Sequence, residues 1–196
     1  MKRLFLYLFL ILFTLQTPSQ ADDIRDFQIE GMSLGDSLLD YMTKNEIDKL
    51  NHHYYSKKMY AYIYFDPENL KIYEALQITW KTDDQNYKIQ QLSGGIFYTN
   101  KIKDCYKKQN EIISDLEDIF GKSVKKKSYT KKHSADKTGN SLNKTTQFEF
   151  KTKDVVRVSC YDWSKKITKE KNWHDNLRVV ILDGDFRNWI NTNAYK

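Results

Sequence analysis

The chain opens on an apolar run, residues 4–15, with Lys2 and Arg3 before it and Pro18, Ser19 and Ala21 after it. Such a run is too short to cross a hydrocarbon core, which needs about 20 apolar residues, and its flanks are those of a secretory signal. It predicts a cleavable signal peptide over residues 1–21, cut after Ala21, and a mature chain that is periplasmic or secreted. An uncleaved anchor is the competing reading. No cysteine follows the cut, which argues against a lipid-anchored form.

Beyond the cut, residues 27–30 alternate as a short strand, and the segment from Gly31 to Ser37 turns into a helix capped by Asp36 or Ser37, with Leu38, Leu39 and Met42 on its apolar side. Thr43, with Glu46 three residues on, makes a capping box that starts a second short helix. Met59, Ala61, Ile63 and Phe65 then alternate with Tyr60, Tyr62 and Tyr64, the period-two pattern of a strand with both faces covered. A turn at residues 66–69 and strands over 73–81 and 87–97 complete an antiparallel meander, in which Gly94-Gly95 marks a bulge or break.

The strongest helix spans residues 104–120, because Cys105, Ile112, Ile113, Leu116, Ile119 and Phe120 recur at three- and four-residue spacings and Gly121 stands at the C-cap. A polar stretch follows, and strands are expected over 146–151, 155–163 and 177–182. Asp183-Gly184-Asp185 reads as a tight turn into a C-terminal helical segment that packs Phe186, Trp189 and Ile190 on the sheet. The predicted class is α+β: an antiparallel sheet with helices on one face, in the pseudo-duplicated order β-αα-βββ-α-βββ, within one domain over residues 22–196.

The glycine-led entry to the first helix and the meander after it resemble small envelope modules of the β-lactamase-inhibitor-protein-like and outer-membrane-assembly-lipoprotein type. That resemblance is one of fold and implies no activity. Residues 26–41, the Ser159-Cys160-Tyr161-Asp162-Trp163 strand and Leu177-Arg178-Val179 resemble exported proteins of unknown function from small-genome marine alphaproteobacteria. Membership there implies export and brings no substrate or site residues.

Cysteine usage agrees with export. Cys105 and Cys160 are the only two, and in an oxidising compartment such a pair closes, here with roughly 2 to 4 kcal/mol of stabilisation. Buried free thiols or a catalytic cysteine are the alternatives, although no redox C-x-x-C is present.

Charge is unevenly placed. Residues 121–145 hold eight lysines against one aspartate, with almost no apolar side chain, and read as a flexible basic loop. Lys122, Lys125, Lys126, Lys127, Lys131 and Lys132 are its candidate contacts for an anionic surface, such as anionic lipid or lipopolysaccharide, or for an envelope protein. A merely solvated insertion is the plainer reading. Nucleic acid is disfavoured by the export signal and by the lack of interleaved aromatic residues.

No nucleophile elbow, P-loop or dinucleotide fingerprint occurs, and no cofactor or metal site is expected. His52-His53 is the one adjacent histidine pair; His133 and His174 are expected at the surface. The tyrosines at 60, 62 and 64 form either a binding platform or a helix-covered face. The leading expectation is a non-enzymatic interaction module of unknown ligand. The alternative is a hydrolase acting on envelope or extracellular polymers through His52, His53 and nearby acids.

Overall fold

Eight strands form one antiparallel sheet in the computed structural model, which describes residues 23–65 and 70–194. In chain order they are β1 His53–Tyr54, β2 Tyr60–Phe65, β3 Ala75–Lys81, β4 Ile89–Phe97, β5 Lys125–Lys132, β6 Leu142–Glu149, β7 Val155–Asp162 and β8 Asn176–Leu182. Their spatial order is β1-β2-β3-β4-β8-β7-β6-β5, so the last strand inserts at the centre and joins two meanders along β4 and β8. Among the described residues four α-helices accompany them: α1 Lys44–Lys49, α2 Ile102–Phe120, α3 Lys165–Lys171 and α4 Gly184–Thr192. The predicted signal segment and the turn predicted at residues 66–69 lie outside the described residues.

Period-two alternation sorts the side chains onto two faces. Ile63, Ile78, Leu92, Val158, Val179 and Ile181 are fully or almost fully buried on one face, beneath α2 and the segment before β1. Leu116 and Phe120 supply the apolar stripe of α2. Cys105 at its start closes a disulfide to Cys160 of β7, with Cα atoms 6.1 Å apart and both residues buried. Gln109, also buried, donates from Nε2 to the carbonyls of Lys144 (2.8 Å) and Val158 (3.0 Å), so helix and sheet are joined covalently and by hydrogen bonds.

Contrary to the predicted class, the helices do not all lie on one face of the sheet. α4 packs Phe186 and Trp189 on Tyr60, Val155, Val180 and Leu182, which point away from α2. Asp183 caps this helix by accepting from the N–H groups of Asp185 and Phe186. At Gly184 a Cβ would sit 3.0 Å from the Thr152 carbonyl oxygen, so a larger residue would require the β6–β7 loop to give by a few tenths of an ångström where the helix turns back against it.

Two further expectations are corrected. Residues 27–30 make no strand: Ile29 pairs only with Met32 across a turn in which Glu30 and Gly31 have φ of 54° and 81°. The Glu30 carboxylate accepts there from the N–H groups of Lys71, Ile72 and Tyr73. β4 passes unbroken through Gly94-Gly95; Gly94 instead makes room for the Tyr73 ring, which a Cβ would meet at 2.5 Å. The register shift falls between Thr79 and Trp80, opposite Ile89 to Gln91.

The basic stretch is the largest difference. Residues expected as a loop form β5 and the start of β6, a hairpin at the sheet's outer edge. An edge strand tolerates lysines because both its faces reach water there and charge discourages pairing with another chain. The β5 backbone pairs with β6 along its length, and Ser128 shares a 2.8 Å hydroxyl hydrogen bond with Thr146.

Candidate functional site

The sheet face opposite α2 is covered by α4 at one end only. Strand register defines what the remainder presents. Lys125, Lys127, Tyr129 and Lys131 of β5 stand beside Glu149, Gln147, Thr145 and Asn143 of β6. Arg157, Ser159 and Tyr161 of β7 continue the rows to Arg178 and Asn176 of β8. Ser93, Gly95 and Phe97 of β4, Gln77 and Thr79 of β3, and Tyr62 and Tyr64 of β2 complete them.

This face is positively charged. Lys81, Lys125, Lys127, Lys131, Arg157 and Arg178 occupy its rows, and the sole acid in them, Glu149, is bridged to Arg187 of α4 at 2.7 Å. Among the described residues neither Arg157 nor Arg178 forms an ion pair, and the Arg157 Nε is buried without a hydrogen-bond partner.

The expected surface lysines divide by register. Lys125, Lys127 and Lys131 share the cationic face, whereas Lys126 and Lys132 project to the α2 side, where Lys126 bridges Glu117 of α2. Lys122 lies in the turn after α2.

Opposite the α4 end, an aromatic wall rises from segments far apart in sequence. Trp163 and Trp173 bracket α3 with ring centroids 4.7 Å apart, and His133 from the β5–β6 connection lies 4.5 Å from Trp163. Tyr161 stacks on Trp163 at 5.7 Å and carries the Arg178 guanidinium over its ring, also at 5.7 Å.

Buried hydrogen bonds hold the wall. The Asp136 carboxylate accepts from the backbone N–H groups and hydroxyls of Thr138 and Ser141, and Ser141 Oγ accepts in turn from the Ser164 N–H at 3.0 Å. The Thr138 hydroxyl, with those of Ser141 and Ser164, keeps Asp136 far below the usual carboxylate range. Asp175 accepts from the Trp163 N–H at 2.8 Å; burial pushes its carboxyl upward. These carboxylates fix His133 and Trp163 relative to the sheet.

His133 is therefore not the surface group its sequence context suggested. Burial, then the Arg178 charge, push its imidazole below the ordinary histidine value, partly offset by Asp136. The Ala135 N–H donates to its Nδ1 at 3.2 Å, which requires that nitrogen to be unprotonated. His174 is half-buried, with Nε2 3.2 Å from Asn172 Oδ1, and among the described residues its buried Nδ1 lacks a partner, as does Trp163 Nε1.

Wall and α4 flank an open trough. One cavity of about 450 Å³ lies against Trp163 and Trp173, a second of about 320 Å³ reaches Tyr55 and Ile190, and both are lined by Tyr64, Tyr161 and Arg178. The three tyrosines of β2 have separate fates: α4 covers Tyr60, Tyr62 stacks with His53 at 5.1 Å, and Tyr64, 54% exposed, lines the trough.

The histidine pair does not converge on a reacting centre. His52 Nε2 contacts the Ile47 carbonyl at 2.8 Å and its ring meets Trp80 on the α2 side, while His53 lies on Tyr62 on the opposite face. Among the described residues no three His, Cys, Asp or Glu side chains are grouped to hold a metal ion. Sequence spacing could not have found the wall, since His133, Tyr161, Trp173 and Arg178 come from four segments. No family model, no curated protein and no solved structure matches the chain.

Proposed function

We propose that the protein is an exported, non-enzymatic binding module that docks to anionic envelope surfaces, phospholipid or lipopolysaccharide head groups, through the cationic face of its sheet. One observation carries the reading: six basic residues share the rows of that face with a single acid, and that acid is already bridged to Arg187. Lysines near an anionic membrane contribute about 1 kcal/mol each, and that attraction fades with salt.

Export is supported by the disulfide, which belongs to oxidising compartments, and by the apolar N-terminal run. Among the described residues no helix is long and apolar enough to cross a membrane.

Co-sedimentation with vesicles tests the reading. The protein is expected to pellet with phosphatidylglycerol vesicles at low salt, to be released at high salt and to ignore phosphatidylcholine. Replacing Lys125, Lys127 and Lys131 together by Gln lowers partitioning roughly a hundredfold, at about 1 kcal/mol per lysine. Equal binding to both lipids, or an unaffected triple variant, overturns the proposal.

A further inference from the structure

We infer that the trough between the aromatic wall and α4 is a binding site for an acidic saccharide, a short oligosaccharide carrying uronic-acid carboxylates. The trough shares Arg157 and Arg178 with the cationic face proposed above, but none of that face's lysines lines it.

The shape selects an extended ligand. The two cavities adjoin at the shared Tyr64, Tyr161 and Arg178 and both open to solvent, whereas a site for an apolar small molecule encloses most of its guest. Its floor is polar: Gln77, Gln91 and Ser93 in the second cavity, Asn176 in the first. An acyl chain laid there would strip water from those polar groups and return no hydrogen bond, at a cost of roughly 1 to 3 kcal/mol per group. Sugar hydroxyls can donate to and accept from each of them.

The walls supply the complement. Pyranose rings present C–H faces that stack on aromatic side chains, and Tyr64, Trp163 and Trp173 line the first cavity. The sign of the ligand follows from charge. Among the described residues Arg178 lines both cavities and Arg157 the second, neither forms an ion pair, and no Asp or Glu lines either cavity. A guanidinium takes a carboxylate through two parallel hydrogen bonds, which supplies the missing partner. A peptide strand fits less well, since the trough floor is a sheet face whose backbone groups are already spent in the strand ladders.

The test is titration of the purified protein with trigalacturonic acid, followed by tryptophan fluorescence and calorimetry, beside neutral galactotriose and a short oligo-thymidylate. Saturable binding of the trigalacturonate, at least tenfold tighter than galactotriose, is expected. Arg178→Gln and Trp173→Ala each weaken it roughly tenfold or more, matching the loss of one charge-assisted contact or one stacking face. Arg157→Gln serves as a second charge variant, and unchanged thermal unfolding certifies each fold.

The Lys125, Lys127 and Lys131 triple variant retains saccharide binding while losing vesicle binding, so the two proposals stand or fall separately. No binding of the trigalacturonate, equal binding of the neutral sugar, or oligo-thymidylate binding at least as tightly with the same variant sensitivity would each overturn the assignment.

Discussion

Arg178 of β8 lies over the Tyr161 ring of the neighbouring β7 strand at 5.7 Å and forms no ion pair among the described residues. A cation held by an aromatic face in place of a carboxylate stays available for an outside anion, and Arg157, in the adjacent row, likewise forms no ion pair and has a buried Nε without an acceptor among the described residues. A guanidinium with an unpartnered, buried Nε, as in Arg157, stabilises the fold little.

Replacing Arg157 should therefore not harm the fold. Arg157→Met removes an unpaired, partly desolvated charge and keeps much of its volume, so thermal unfolding is expected to stay level or rise by about 1 kcal/mol. A loss larger than that would make the side chain a structural support.

The Cys105–Cys160 bond should carry much of the stability. It closes a separation of 55 residues between α2 and β7, and the Cys105→Ala/Cys160→Ala pair is expected to lose about 2 to 4 kcal/mol in denaturant titrations. Reducing agent should lower the unfolding temperature of the parent and leave the variant unmoved. An equal response in both would deny the bond its role.

Acid should open the aromatic wall. The folded imidazole of His133 lies below its unfolded value of about 6.5, so its contribution is present above that pH and is lost as pH falls through the folded value. Protonation also ends the hydrogen bond from the Ala135 N–H. Tryptophan fluorescence should titrate with a midpoint below about pH 6.5, and His133→Gln should abolish that step. A midpoint above it would reverse the sign of the shift.

Docking of α4 rests on Phe186, fully buried against Tyr60 and Trp189. Phe186→Ala is expected to cost about 3 to 5 kcal/mol by leaving a cavity between helix and sheet. Denaturant unfolding measures it, and a cost under about 1 kcal/mol would mean that α4 is only loosely attached.

Much of the scaffold was legible in sequence because burial imposes a period. Ile63 and Ile78 announce strands, Leu116 and Phe120 a helix, and the Thr43–Glu46 capping box is formed as read. β5 was not, since Lys125 to Lys132 bury no apolar side chain and an edge strand needs none; only Ser128, Tyr129 and Thr130 hinted at β structure. α3 was missed for the same reason: Ile167 is its one buried residue, and the Ser164 cap was the available signal. The wall was illegible because Asp136, Ser141 and Ser164 assemble it through hydrogen bonds that no spacing encodes.

The most direct test of the cationic face is lysine footprinting: acetylation rates read by mass spectrometry with and without phosphatidylglycerol vesicles. The account expects Lys125, Lys127 and Lys131 to slow when vesicles are present, while Lys103 and Lys107, exposed on α2 across the sheet, react as before. Protection of the α2 lysines with free reaction on β5 would contradict it.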